Sequence, residues 1–546
     1  MQVIYTESIS TNYHGIFLAK DNYRTGHDEP WDDFDYKVKF KIYYKNSKQD
    51  SEQLLGFVRI LKLDIKNTFD YFKKFGIQLD EKNFDVSNLL DETTISLPLE
   101  VNFYKKVRVL FESDDERINI FFNAIRDASY FIDEKEKFSK FGGYSSTLMR
   151  EGSTSEAIIE KGYQISLGKS LNTSKFRVDI AFDEDKFDDL VLDFNIEKEY
   201  GERNINLLIG RNGSGKTYII DNLIRTILGM GVKKIDYPYF NKVLVSAFSP
   251  FENFLTVNDL SDFYKSKNTE GTQKKVNRNK RIPVNKYNYI GFRNEENKFD
   301  KNHPKKRSVE AILSIIKYDE DNLWWGEINK KKLLEDTLGL SIDFDGIFIL
   351  SKKGEFISID EIGFSDSTHL DKNKGLFFKK KNDVVALSSG QEIYSYLIPT
   401  LISEIESETL LLVDEPELYL HPGLELGLMK MLKKLLKAFK SFAVIATHSS
   451  IITREVDREA VNILKREGNY TTITLPSIQT YGSDIESIIA EVFEDDLETK
   501  IYEDVIDELI DEDAGLSLGI INQEFGDAGL VYFISKNSDE NIEFED

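Results

Sequence analysis

Asn206-Leu207-Leu208-Ile209-Gly210-Arg211-Asn212-Gly213-Ser214-Gly215-Lys216-Thr217 decides the fold of this chain. The first four residues read as a buried strand. The next eight match G-x-x-x-x-G-K-T in full, and Tyr218 to Leu228 reads as the helix that follows. Gly210, Gly213 and Gly215 let the backbone curl until its N–H groups point inward at phosphate oxygens. The helix N-terminus adds a partial positive charge. On this reading Gly210, Asn212, Gly213, Ser214, Gly215, Lys216 and Thr217 bind ATP. Lys216 reaches the β- and γ-phosphates and the Thr217 hydroxyl ligates Mg2+. A chance Gly-rich turn seldom carries the complete spacing between a strand and a helix.

About 200 residues downstream stands Thr409-Leu410-Leu411-Leu412-Val413-Asp414-Glu415-Pro416. Its uncharged run is β-type, so Asp414 sits at the C-terminal end of a strand, where open α/β sheets bind ligands. Asp414 is expected to hold Mg2+ through water and Glu415 to polarise the attacking water. An acidic turn capping a strand is common by itself, but not at this distance from a phosphate loop. A further strand, Ser441 to Thr447, ends at His448, which fits a contact to the γ-phosphate. Between these motifs lies Leu387-Ser388-Ser389-Gly390-Gln391-Glu392. That string has no task in an ordinary nucleotide-binding domain, but it makes sense if two copies close face to face over ATP.

With these strings in place the chain resembles the ABC-type ATPases. The expected fold is an α/β ABC-type P-loop head, a mixed sheet with flanking helices, with an N-terminal α+β extension and a helical, basic insertion. The resemblance implies Mg2+ at Thr217 and Asp414, a catalytic base at Glu415 and a switch histidine at His448. It implies that Ser388, Ser389, Gly390 and Gln391 act in trans, on ATP held by the partner subunit. Glu417 to Pro422 (Glu-Leu-Tyr-Leu-His-Pro) replaces the dimer-contact loop of transporters and looks like the soluble branch, with overcoming-lysogenization-defect and SMC-like ATPases. The Q-loop glutamine has no counterpart. Val243 to Phe254 fills its place, and Ser246 or Ser249 would substitute.

Composition fits a cytoplasmic machine. The 546 residues include no cysteine, which excludes disulfides and thiolate zinc sites. The six histidines are scattered without metal-ligand spacing, and no apolar run approaches 18 residues, so no membrane span is expected. The net charge of −24 is uneven: residues 481–546 hold 21 Asp or Glu against two Lys. Their Asp504 to Asp513 run reads as an acidic helix with Val505, Ile506, Leu509 and Ile510 at helical spacing. Conversely, Lys265 to Arg307 holds 14 Lys or Arg against four acids. Lys274, Lys275, Arg278, Lys280 and Arg281 are the candidate nucleic-acid patch, against the alternative of a solvated loop. Lys372, Lys374, Lys379, Lys380 and Lys381 form a second basic cluster. Tyr287, Tyr289 and Phe292 could stack on bases, but their alternation favours a core strand.

Five segments are expected: an N-terminal α+β extension at 1–170, partly integrated with the head; a lobe with the phosphate loop at 171–254; the insertion at 255–345; a lobe with signature, Asp414 and His448 at 346–480; and the acidic region at 481–546. No sustained heptads separate Thr217 from Asp414, which excludes long coiled-coil arms. No HNH-like or TOPRIM-like constellation is visible, so no nuclease activity is expected of the chain alone.

Flanking runs narrow the resemblance. Phe103-Tyr104-Lys105-Lys106, Ala124-Ile125-Arg126-Asp127, Ser145 to Arg150, Tyr289 to Arg293 and Gln479-Thr480-Tyr481-Gly482 are similar to the Septu ATPases of the PtuA kind, including their retron-linked form. That family implies an ATP-dependent homodimer or higher oligomer and an HNH endonuclease partner. In retron systems it implies a reverse transcriptase with its DNA–RNA hybrid. The ATPase would then be a sensor and regulator of a partner nuclease in anti-phage defence. An SMC/RecF-like DNA-repair clamp and a PARIS-type defence ATPase stay open as alternatives.

Overall fold

The computed structural model describes residues 1–9, 12–23, 35–150, 153–168, 175–182, 186–198, 203–228, 230, 240–247, 249, 252–260, 262–263, 287–294, 296–325, 328–362, 368–493, 500–511 and 518–537. Two compact units divide the chain, residues 1–482 and 483–546. The N-terminal region and the head that carries the phosphate-loop motif share the first unit. Among the described residues no helix is long and apolar enough to cross a membrane.

The N-terminal region is built on a seven-stranded sheet. Its order is Ile77–Gln78, Asn83–Asp85, Val3–Thr6, Gly15–Lys20, Lys39–Lys45, Gln53–Lys62, Thr94–Pro98. Helices Val101–Leu110, Asp115–Ile125 and Ser153–Ser166 accompany it. Aromatic residues fill the core: Phe40, Phe103, Tyr104, Phe121 and Phe122 are all essentially inaccessible. Tyr104 stacks on Phe122 at 5.3 Å and donates its hydroxyl to Asp127 at 2.9 Å. Asp127 also accepts the N–H groups of Ser129 and Tyr130. Burial still pushes its carboxyl up, to about 7. The Ala124-to-Asp127 run is thus a structural joint: the Arg126 carbonyl and the Ala128 N–H bond to Ser96 on the edge strand.

The head is a second seven-stranded sheet, in the order Tyr287–Gly291, Lys242–Ala247, Thr409–Asp414, Phe442–Thr447, Ile205–Ile209, Val461–Glu467, Tyr470–Thr474. The first six run parallel and the last closes the edge as an antiparallel hairpin. Strands 205–209, 409–414 and 442–447 are buried at every position and, apart from Asp414 at the end of its strand, uncharged, as runs covered on both faces must be. The ribbon Lys175–Ile180 and Leu190–Asn195 contributes Val178, Ile180, Leu192 and Phe194 to the same core.

One finding departs from the sequence reading. Strand Tyr287–Gly291 lies inside the stretch expected as an insertion, yet it is an edge strand of the head sheet. Its Tyr287 is fully buried and Tyr289 donates its hydroxyl to Glu252, which also pairs with Arg293 at 2.8 Å. Neither tyrosine is available to stack on a base. Among the described residues of that region, helices His303–Asn322 and Lys330–Leu338 pack against helix Ser389–Glu404. Glu404, near the end of that helix, pairs with Lys242 at 2.7 Å and Arg307 at 3.5 Å. Burial opposes its ionisation, but the two cations outweigh burial and hold it at about 2.

A separate four-stranded antiparallel sheet, Phe356–Ser358, Gly346–Leu350, Leu376–Lys380, Asp383–Val384, precedes the signature. Among its described residues the C-terminal unit holds helices Ile485–Phe493, Ile501–Asp511, Leu518–Glu524 and Asp527–Asn537. Ile506, Ile521 and Phe533 form its small core. Val505 stays 39% exposed, so the apolar stripe read from 504–513 is only partly used.

Candidate functional site

The parallel register brings the candidate residues to one edge of the head sheet. Ile209 pairs with Thr447, Ala446 with Asp414, and Asp414 with Ala247. The phosphate loop, both carboxylates, His448 and the segment standing for the Q-loop therefore leave the sheet at the same level. The His448 strand lies between the Asp414 strand and the phosphate-loop strand.

Gly215 has φ +99, in the region disfavoured for residues with a Cβ, and a Cβ there would lie 2.8 Å from the Phe187 ring. Helix Lys216–Ile227 starts directly after it. Lys216 is 4% exposed and folds back onto the carbonyls of Gly210 (2.8 Å) and Arg211 (3.3 Å). Burial lowers its pKa, opposed by the charges of Glu415, Asp414 and Glu417. The loop is held from the hairpin edge, where Arg466 donates to the Gly213 carbonyl at 3.0 Å and Thr471 to that of Ser214 at 3.2 Å. Arg211, Asn212 and Gly213 stand exposed at the loop's tip.

Thr217 Oγ1 donates to Asp414 Oδ2 at 3.1 Å, joining residues 197 apart in sequence. Asp414 Oδ1 and Ser214 Oγ are buried without a hydrogen-bond partner. Burial pushes the Asp414 carboxyl up to about 7, with Glu415 and Glu417 adding to it and Thr217 and Lys216 opposing. A buried carboxylate with an orphaned oxygen beside a threonine hydroxyl is a donor set that fits a hard divalent cation. Glu415 takes the left-handed conformation, φ 45, and its N–H bonds to Ala446 O at 2.9 Å. Such backbone at a non-glycine residue is uncommon and clusters at functional sites.

His448 is positioned by a residue to which sequence reading assigned no role. Glu417 Oε1 accepts from Thr447 Oγ1 and the His448 N–H, both at 2.7 Å, and lies 3.0 Å from His448 Nδ1. The hydrogen bond to Glu417 raises the His448 pKa, and the ring bond leaves Nε2 as the nitrogen open to a ligand. Burial works to raise Glu417, but hydrogen bonds from His448 and Thr447 hold it low. Phe187 was also missed. It stacks on Tyr218 at 5.0 Å and 13° between ring planes, beside the phosphate loop, with Tyr218 46% exposed. Nothing in the sequence separates Phe187 from Phe176, Phe182 or Phe194. Glu417 stood within the quoted Glu-Leu-Tyr-Leu-His-Pro run.

Ser246 ends fully buried with an unpartnered hydroxyl, one residue before the Ala247 that pairs with Asp414. Ser249 follows in the loop and is half-buried.

The signature residues build a helix start. Ser388 caps helix Ser389–Glu404, accepting from the Gln391 N–H, while the Gln391 side chain accepts the Ser388 N–H at 3.0 Å. Gln391 Nε2 also donates to Ser341 O at 2.8 Å. Ser388 and Ser389 face solvent. Gly390 is buried, and a Cβ there would lie 2.4 Å from Leu424 Cδ1. Lys274, Lys275, Arg278, Lys280 and Arg281 lie outside the described residues, as does Asp513.

Residues 228–454 match the family model described as "AAA domain, putative AbiEii toxin, Type IV TA system". The match begins after the phosphate loop and takes in the signature, Asp414, Glu415 and His448. The chain is 26% identical over 367 residues to Protein ea59 of Escherichia phage lambda, an alignment covering 63% of this chain and 64% of that protein. The chain thus spans less than two thirds of that relative's length. Among solved structures it is similar to cbiO1 from Clostridium perfringens, part of the ABC transporter complex cbiONQ, at 13% identity and a TM-score of 0.26, covering 62% of this chain and 94% of that one. It is also similar to an Smc head bound to the C-winged helix domain of ScpA, at 14% identity and a TM-score of 0.31, covering 56% and 97%. Scores this low carry no weight of their own. Strand order, the phosphate loop, the interposed His448 strand and the Thr217–Asp414 contact do, and they give the head the fold of an ABC-type P-loop ATPase.

Proposed function

We propose that this chain binds and hydrolyses ATP at a site completed by a second copy of itself, and uses that cycle to control a partner nuclease in anti-phage defence. The observation that carries the catalytic half is the convergence of Lys216, Thr217, Asp414, Glu415 and His448 at one sheet edge, while the signature helix presents Ser388 and Ser389 to solvent.

Lys216 leaves the carbonyls of its own loop for the β- and γ-phosphates of ATP. Thr217 and Asp414 are the residues that would hold Mg2+, whose chemistry is to neutralise charge on those phosphates. Glu415 takes a proton from water as the water oxygen bonds to the γ-phosphorus. The bond from that phosphorus to the bridging oxygen breaks, and its electron pair leaves on ADP. His448, protonated with the help of Glu417, donates from Nε2 to the γ-phosphate. Ser389 of the opposite copy supplies hydrogen bonds to the same phosphate from a helix N-terminus.

The regulatory half rests on the similarity of the flanking runs to Septu ATPases. It names an HNH endonuclease as partner and, in a retron-linked form, a reverse transcriptase with its DNA–RNA hybrid. The test has two parts. Purified chain should release phosphate from ATP, and an Asp414→Asn variant should not. Native capture of the tagged chain, with mass measurement of protein and nucleic acid, should recover an HNH protein. Recovery of long duplex DNA without any nuclease would favour the DNA-clamp reading, and a TOPRIM protein the PARIS-type reading.

A further inference from the structure

The four-stranded sheet before the signature has one face turned inward and one partly open, with Phe356 exposed and Phe348 and Phe377 half-buried. Ile347, Ile349, Leu376 and Phe378 are buried, with Phe378 edge-on to Phe344 at 5.1 Å. Alternate residues make the opposite face. There the register sets Phe348 beside Phe377, Leu350 beside Phe356, and Gly346 beside Lys379. Phe356 is 39% exposed and meets Phe377 at 5.2 Å, edge to face. Lys379 Nζ lies 4.6 Å from the Phe348 ring centre and 4.1 Å from that of Phe356. No acid stands on these strands at this face, but Ser358, opposite Phe348, donates to Asp360 Oδ2 at 3.2 Å at its edge, and Asp360 is paired with Lys331.

Its two ends carry cations. The turn after Leu350 exposes Lys352 and Lys353, and the turn after Lys380 exposes Lys381. Among the described residues none of these three side chains forms a salt bridge, whereas Lys380 is paired with Asp343 and Lys372 with Glu310. Because the strands are antiparallel, the two turns lie at opposite ends of the aromatic face, separated by a five-residue strand of roughly 17 Å. Three phenylalanine rings lie between lysines that form no salt bridge among the described residues; Glu355 shares the first turn, and at the other end Asp345 Oδ2 accepts the Lys381 N–H at 2.8 Å, with Asp383 two residues on.

We propose that this face binds single-stranded nucleic acid, with bases stacked on Phe348, Phe356 and Phe377 and backbone phosphates held by Lys352, Lys353 and Lys381. Flat aromatic rings on an open sheet accept any base, and unpaired lysines at both ends fit a polyanion rather than an apolar protein surface. A duplex, whose bases are already stacked, gains only the charge term. The platform leads straight into the signature: Val385 N–H donates to Phe378 O at 2.8 Å, three residues before Ser388. The inference does not rest on ATP turnover and stands apart from segment 265–285.

Fluorescence anisotropy of the full chain with a labelled 20-mer of dT, one of rU and a duplex of equal length tests it. One or both single strands should bind more tightly than the duplex, and which one does identifies the ligand as DNA or RNA. Phe356→Ala should weaken binding by about 5- to 150-fold, the range one base–aromatic stack supplies. Phe356→Leu, which keeps apolar bulk, should also weaken it while leaving the melting temperature and ATP turnover unchanged. Lys352→Gln with Lys353→Gln should reduce the salt slope by about 1.4 log units per log unit. Photocrosslinks from 4-thiothymidine should map to 346–358 and 376–384. Unweakened binding in Phe356→Leu, crosslinks confined to other segments, or no single-strand binding would each overturn the proposal. So would concentration-dependent protection of this face from deuterium exchange without oligonucleotide, which would assign it to a second copy of the chain.

Discussion

Glu417 stands three residues beyond Asp414, and its Oε1 gathers the Thr447 hydroxyl, the His448 N–H and the His448 ring. The His448 pKa is raised, so the charged pairing is complete below the ordinary histidine range and is lost as pH rises through the raised value. Glu417 is held low, so its share is present above the ordinary carboxylate range and is lost as pH falls through its depressed value. The pair holds between those limits. Glu417→Gln should therefore move the alkaline limb of ATP turnover to lower pH and reduce kcat about 10-fold, equivalent to about 1.4 kcal/mol, with KM little changed. An alkaline limb that stays in place would remove Glu417 from this role. Lys216→Ala should weaken ATP binding about 10-fold or more, from the roughly 1.5–3 kcal/mol of a charged hydrogen bond, as read by equilibrium titration. Unchanged affinity would undo the phosphate-loop assignment. At this scale the convergence of Lys216, Thr217, Asp414 and His448 at one sheet edge was legible because each sits at a fixed offset from a strand end. The contacts of Glu417 and Phe187 were not, because each meets a neighbour brought near only by strand order.

Helix Ser389–Glu404 is fixed at both ends by different physics. At its start the Ser388–Gln391 capping box satisfies backbone donors. At its end Glu404 ties to Lys242, the first residue of the strand beside the Asp414 strand. Between them Gly390 admits Leu424 and Leu420, whose methyls would lie 2.4 and 3.0 Å from an added Cβ. Gly390→Ala should push the signature helix off its seat, destabilise the chain by about 1–3 kcal/mol through overpacking, and abolish turnover while ATP still binds. Ser388→Ala should cost about 1 kcal/mol of stability. Thermal denaturation with parallel turnover assays checks both, and wild-type turnover in Gly390→Ala would show that the helix tolerates displacement. The uncharged parallel strands and the helix after the phosphate loop could be read locally, since burial on both faces leaves an unbroken run. Tyr287–Gly291 read correctly as a strand but was placed in an insertion. Its pairing with Lys242–Ala247 spans some forty residues of sequence and leaves no local mark. The small sheet went unread because its strands are only two to five residues long.

Across the whole molecule, the N-terminal sheet and the head fall in one compact unit, although the long stretch before the phosphate loop reads as an extension. Aromatic composition announced a core there, but no periodicity says which neighbour a sheet will have. The exposed residues of the head bear on oligomeric behaviour. Its signature serines face solvent at a helix N-terminus, Leu418 and Tyr419 beside the carboxylate motif are 41% and 43% exposed, and Glu415 makes no side-chain bond among the described residues. Each of these features gains a partner if two heads close face to face, and a closed two-fold pair is the common form for such an interface. Glu415→Gln removes the proton acceptor but keeps the shape of the side chain. It should bind ATP, slow hydrolysis by about 100-fold or more, and accumulate as a dimer. Light scattering with and without ATP reads the mass. Adding Ser389→Arg, which sets a large side chain at the signature, should return the Glu415→Gln protein to monomer while ATP stays bound. A Glu415→Gln chain that binds ATP at full affinity yet remains monomeric would show that the site is completed within one subunit, and the two-copy model would fall.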